Sequence, residues 1–229
     1  MSFEYHIIRP SSAKKFSPLI VYLHGQGEHL EGQRYLTRSS ASLPGRVREF
    51  VELQKCVIVT PFAPKGVWWN TFDLMIFIKT IAIREKCDIS RIYLCGVSMG
   101  GYAAWSMMSQ YPNTFAAVVP VCGGVNPLRR AFVFPFRWSQ FSDKNFKGNT
   151  QTAVWAFHGV LDFIVPYYES IRQIRILEQN GNKKCKLTLF NWGGHFIAKR
   201  TFDNAELYTW LLRQSLPQEY VMNSIFYMQ

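Results

Sequence analysis

Apolar residues gather in short continuous runs along this chain, separated by stretches in which they return every three or four positions. The runs Phe3–Ile8, Leu19–Leu23, Val57–Thr60, Arg91–Cys95, Ala117–Val121, Ala153–Phe157 and Lys186–Phe190 are too short for helices and predict strands. Helical spacing marks Gly45–Gln54, Phe72–Lys86, Gly101–Gln110, Tyr167–Asn180 and Asp203–Arg213. Strands that are apolar throughout, and not on alternate positions only, belong to sheets covered on both faces. The βα alternation therefore predicts an α/β fold with a single, mostly parallel central sheet and helices on both faces.

Pro61, Pro112, Pro166 and Gly181 fall at the predicted element boundaries, where they end strands and helices. No internal repeat or low-complexity linker interrupts the pattern, so residues 1–229 read as one domain. The segment Asn126–Gln151 has no clean period and mixes Phe132, Phe134, Phe136, Trp138 and Phe141 with Arg129, Arg130 and Arg137. It reads as a short flap over the strand ends and the site they form, with no large lid domain.

Composition narrows the class. With 48% hydrophobic and 18% charged residues in 229, the chain can bury a full core and is not a disordered tail. Met1–Pro10 lacks the apolar core of a secretory signal, and Phe72–Ile83, broken by Asp73 and Lys79, is too short to span a bilayer and reads as a buried helix. Five cysteines (Cys56, Cys87, Cys95, Cys122, Cys185) are odd in number, scattered, and mostly set in apolar runs, which suggests reduced core thiols and a cytoplasmic setting. No Cys-x-x-Cys pair or His/Cys cluster has metal-ligand spacing, so no metal is expected.

The net charge of +11 is spread over small clusters: Lys14-Lys15, Arg129-Arg130, Lys183-Lys184-Lys186 and Lys199-Arg200. A solvated surface accounts for them, with an anionic lipid or acidic surface as the sharper reading. No nucleic-acid motif accompanies the charge, and no nucleic-acid partner is expected.

In open parallel sheets, ligands bind where the carboxyl ends of the strands meet the loops. Four such loops carry reactive side chains: His24-Gly25-Gln26-Gly27, Gly96-Val97-Ser98-Met99-Gly100, His158-Gly159-Val160-Leu161-Asp162 and Gly193-Gly194-His195. The second spells G-x-S-x-G between a predicted strand and a predicted helix, which puts a serine on a sharp, strained turn.

Together with Tyr22–Glu28, Asp88–Trp105 and His158–Pro166, these motifs resemble an α/β-hydrolase of the carboxylesterase/phospholipase group, near the dienelactone-hydrolase and polyhydroxybutyrate-depolymerase-like esterases. The resemblance runs over most of the chain and implies a serine, an acid and a histidine in that chain order. Ser98, Asp162 and His195 fit it. A serine hydroxyl is a poor nucleophile until a neutral imidazole takes its proton, which assigns the base to His195. Asp162 would then orient the ring and stabilise the imidazolium.

Rivals read differently. Asp73 lies in a helix first turn, Asp88 before a strand, and Asp143 in the flap; His24 and His158 read as structural loop holders, His6 sits in a strand and His29 in a polar loop. The oxyanion of a tetrahedral intermediate needs preorganised donors, for which the amides of Met99, at a helix start, and Gln26 are the candidates. Trp68 and Trp69, and Phe134, Phe136 and Trp138 of the flap, could line a substrate cleft or simply pack.

The expected activity is cofactor-free hydrolysis of small-molecule carboxylic esters with small to medium acyl groups, through an acyl-enzyme. A lysophospholipase, an acyl-protein thioesterase, a serine peptidase and a non-catalytic binding protein of the same fold are the alternatives.

Overall fold

The computed structural model describes residues 3–10, 16–26, 36, 38–64, 66–125 and 146–221. Seven strands form one sheet: β1 (Tyr5–Ile8), β2 (Leu19–Leu23), β3 (Val57–Pro61), β4 (Ile92–Val97), β5 (Ala117–Val121), β6 (Ala153–Gly159) and β7 (Cys185–Phe190), in the order β1-β3-β2-β4-β5-β6-β7. Only β1 runs antiparallel to its neighbour, pairing Tyr5 with Pro61; the other five pairings are parallel. The expected mostly parallel α/β-hydrolase sheet is what the chain forms.

Strands β2 to β6 are buried along their whole length, which is why they read as unbroken apolar runs. Successive residues still point to opposite faces and divide the core in two. Leu19, Val21 and Leu23 pack with α1 (Thr71–Arg84), α2 (Met99–Gln110) and α3 (Tyr168–Gln179) on one side. Ile20 and Tyr22 pack with α4 (Ala198–Phe202) and α5 (Ala205–Leu212) on the other. Helix α1 starts where Asn70 accepts from the amides of Phe72 and Asp73, at 2.9 and 3.2 Å, an N-cap worth about 1 kcal/mol.

Two sequence expectations need correction. Gly45–Gln54 is not a helix but a succession of turns with 3-10 pieces at Pro44–Arg46 and Leu53–Lys55, closed mainly by bonds three residues apart. Gly45 lies so close to the Ser39 carbonyl that a side chain would clash, and buried Arg46 is held by Glu49 at 2.6 Å and Asp203 at 2.5 Å. Helix α1, in turn, is buried on one face only: Phe72, Ile76 and Ile83 are exposed.

All five cysteines are free, four of them buried, and burial pushes the Cys56 and Cys87 thiols up to about 12. No helix among the described residues is long and apolar enough to cross a membrane. Residues 126–145 of the expected flap lie outside the described residues. The six that follow are tied to α2: Phe146 is buried with its ring 6.0 Å from that of Trp105, and Asn149 donates to the Met108 carbonyl at 2.8 Å.

Candidate active site

The turn after β4 brings the backbone of three elements into contact. Ser98 sits at φ 52° and ψ −112°, its amide donating to the Val121 carbonyl of β5 at 2.9 Å, and α2 begins at the next residue. A Cβ on Gly96 would lie 2.1 Å from the Gly100 carbonyl oxygen, and one on Gly100 would lie 2.0 Å from that of Leu23. Both distances are far below contact, so any side chain there would force the turn open. The glycines of G-x-S-x-G are thus demanded by close backbone approach.

Three side chains from three loops meet at this turn. The Ser98 hydroxyl lies 2.9 Å from His195 Nε2, and His195 Nδ1 lies 2.7 Å from Asp162 Oδ2. A carboxylate only accepts, so Nδ1 carries the proton of neutral His195 and Nε2 is left as the acceptor facing the serine. The other Asp162 oxygen accepts from the amides of Ile164 and Val165 at 2.9 and 2.8 Å. Burial alone would push the Asp162 carboxyl up, but hydrogen bonds from His158, His195 and the Val165 amide, with the charge His195 can carry, outweigh it. The group is held well below the usual carboxylate range.

His158 is the residue whose place the sequence did not give away. Its Nε2 lies 3.3 Å from Asp162 Oδ2 and 3.0 Å from the Val165 carbonyl, both acceptors, so Nε2 bears the proton; Nδ1 accepts from the Ser170 hydroxyl at 2.7 Å. The spacing His158-x-x-x-Asp162 around a glycine could have suggested a ring folded back on the carboxylate. The loops bearing Asp162 and His195 are also joined through backbone, Leu161 donating to the Gly193 carbonyl at 2.8 Å and Val160 to that of Phe190 at 3.0 Å.

Gln26 and Met99 line one shallow cleft with Ala63, Pro64, Gly66, Val67 and Trp68. Met99 is the first residue of α2, so its amide lies outside the hydrogen-bond ladder of the helix. Trp68 lines this cleft, whereas Trp69 turns into the core, its ring 4.9 Å from that of His24 and its Nε1 donating to the His24 carbonyl at 3.4 Å. Phe134, Phe136 and Trp138 lie outside the described residues, as do His29 and Asp143. Asp88 caps a turn, accepting from Ser90 at 2.9 Å, and pairs with Arg91, as its position before a strand suggested.

The model of the prolyl oligopeptidase family matches residues 69–215, more than half of the chain and a span that contains Ser98, Asp162 and His195. The chain belongs to this family. A relative within reach by sequence is the bifunctional acetylxylan esterase/xylanase XynS20E of Neocallimastix patriciarum, 28% identical over a match 132 residues long that covers 54% of this chain and 18% of that protein. Among solved structures, a thermostable esterase superposes with a TM-score of 0.70 at 26% identity, over 92% of this chain and 59% of that one.

Esterase PE8 gives 0.66 at 18% identity, over 93% of this chain and 100% of that one; a phospholipase/carboxylesterase from Dyadobacter fermentans gives 0.64 at 14%, over 92% and 97%. At such identities these two speak for the fold alone. Family and neighbours agree with the α/β-hydrolase esterase group that the motifs resemble.

Among the described residues, one group of three could in principle hold a metal: Cys122, Asp162 and His195, with donor atoms within 4.8 Å of one another. Asp162 and His195 are already engaged with each other through a hydrogen bond, and with Ser98 beyond.

Proposed function

We propose that this protein is a serine hydrolase that cleaves carboxylic esters of small to medium acyl groups through an acyl-enzyme, using no cofactor. The reading rests on one observation above all: the hydrogen-bonded chain Ser98–His195–Asp162, with the acceptor nitrogen of the imidazole facing the hydroxyl. The names of relatives, acetylxylan esterase and thermostable esterase, add the bond class.

Ser98 attacks the ester carbonyl carbon as His195 takes the hydroxyl proton; Asp162, kept ionised by its hydrogen bonds, stabilises the imidazolium. The oxygen of the tetrahedral intermediate is received by the amides of Met99 and Gln26, each such donor typically worth about 3 to 4 kcal/mol. His195 then hands its proton to the departing alkoxide, and the same steps run with water release the acid and restore Ser98. Trp68 forms one wall of the acyl cleft.

A second reading, serine peptidase, is favoured by the family itself, because the same groups can attack an amide. The two separate on substrates. Purified protein is offered p-nitrophenyl butyrate, lysophosphatidylcholine and a peptide anilide, and its intact mass is measured after treatment with a fluorophosphonate. One adduct, absent in Ser98→Ala, together with turnover of the butyrate ester is the expected result. Preferential turnover of the anilide would favour the peptidase, and inertness of both proteins toward every acyl donor would leave a non-catalytic fold.

A further inference from the structure

The loops that carry Asp162 and His195 display large apolar side chains to solvent beside the groups they hold. After β6 these are Leu161 (42% exposed), Phe163 (78%) and Ile164 (58%); after β7 they are Trp192 (89%) and Phe196 (91%). The hydrogen bond from Leu161 to the Gly193 carbonyl and the Asp162–His195 contact join the two loops, so the five belong to one rim. Val67, half exposed, adds an apolar position on the cleft side. Scattered exposed hydrophobics need no explanation, but a cluster flanking a reactive site does.

Cations border this rim. Lys199 and Arg200 follow Phe196 within one turn and are exposed, Lys199 paired with Asp203 at 2.5 Å and Arg200 with its guanidinium 4.4 Å over the Phe190 ring; the chain as a whole carries +11. Aromatic and branched aliphatic tips next to basic residues fit the boundary between acyl chains and anionic headgroups.

We infer that the rim formed by Leu161, Phe163, Ile164, Trp192 and Phe196 docks on an anionic lipid surface and holds the mouth of the site against it. Docking at this rim presents amphiphilic esters at the interface to Ser98, a step that rests on the esterase reading above. The contact itself does not.

Binding and hydrolysis are therefore measured apart. Ser98→Ala protein is sedimented with phosphatidylcholine vesicles with and without phosphatidylserine, and again after Phe163→Ser and Trp192→Ser are added. The expected result is binding to phosphatidylserine vesicles that weakens with salt and drops at least about tenfold in the rim variant. In the Ser98 background, the same two substitutions should leave hydrolysis of soluble p-nitrophenyl butyrate unchanged. No sedimentation with either vesicle, or equal sedimentation of parent and rim variant, overturns the inference, as does a dimer in solution that the two substitutions dissolve. Vesicle binding by a protein inert toward all esters would keep the docking surface and remove the esterase reading.

Discussion

His24-Gly25 directly after β2 and His158-Gly159 closing β6 are the same dipeptide at the same kind of place, the carboxyl end of a buried strand, yet their imidazoles carry the proton on opposite nitrogens. His24 Nδ1 donates to the Gly25 carbonyl at 2.8 Å, while its Nε2 accepts from the Ala63 amide at 3.2 Å. His158 donates from Nε2 and accepts at Nδ1. The first ring ties the loop that bears Gln26 to the loop that bears the cleft wall, through backbone groups. The second reaches an ionised side chain. A buried imidazole can brace a loop with either face, and its neighbours decide whether it also touches the chemistry.

The sharpest way to break this comparison is to remove the group on which the second loop converges. Asp162→Asn should lower kcat by about 10⁴, because an amide does not hold the ring in the same tautomer. The same variant carries a pH signature. A carboxyl held below its unfolded value contributes stability above the unfolded value and loses it as pH falls through the folded one. Thermal melts should therefore fall more steeply for the parent than for Asp162→Asn below about pH 4. Parallel curves would contradict the account of that carboxylate.

His158→Ala comes next, with kcat expected down by about one to two powers of ten and KM little changed, the scale of one hydrogen bond to a charged group. Restoration of much of that loss by His158→Gln, which offers an amide donor in place of Nε2–H, would sharpen the distinction between holding the acid and merely filling space.

His24→Ala should show the smallest effect on kcat and act mainly on stability. It leaves the buried Ala63 amide without the ring nitrogen, at a cost of about 1 to 3 kcal/mol readable by urea titration. A collapse of kcat larger than that of His158→Ala would reverse the ranking of the two loops.

Much of the sheet was legible because strands buried on both faces are apolar along nearly their whole length, so Leu19–Leu23 and Ala117–Val121 fall where the sequence put them. Ser98 could be read because its glycines answer to backbone contact, which leaves little freedom in sequence. Gly45–Gln54 misled because its apolar spacing serves a run of turns pinned by the ion pairs of Arg46, one of them with the distant Asp203. The five-residue helix α4 went unpredicted, being shorter than a helical period can establish. Trp68 and Trp69 are adjacent and chemically alike, and only tertiary packing sends one to the cleft and the other beneath His24. The contact of His158 with Asp162 depends on a loop folding back, which no periodicity records.

The crowding of Gly100 against the Leu23 carbonyl ties the start of α2 to the end of the strand from which the His24–Gln26 loop departs. Main chain rests on main chain there, with no intervening side chain to set the gap. Substitutions elsewhere in the core can accumulate without retuning the spacing between the Ser98 turn and the loop that bears Gln26, so that the surrounding surface is free to drift while this junction keeps its dimensions.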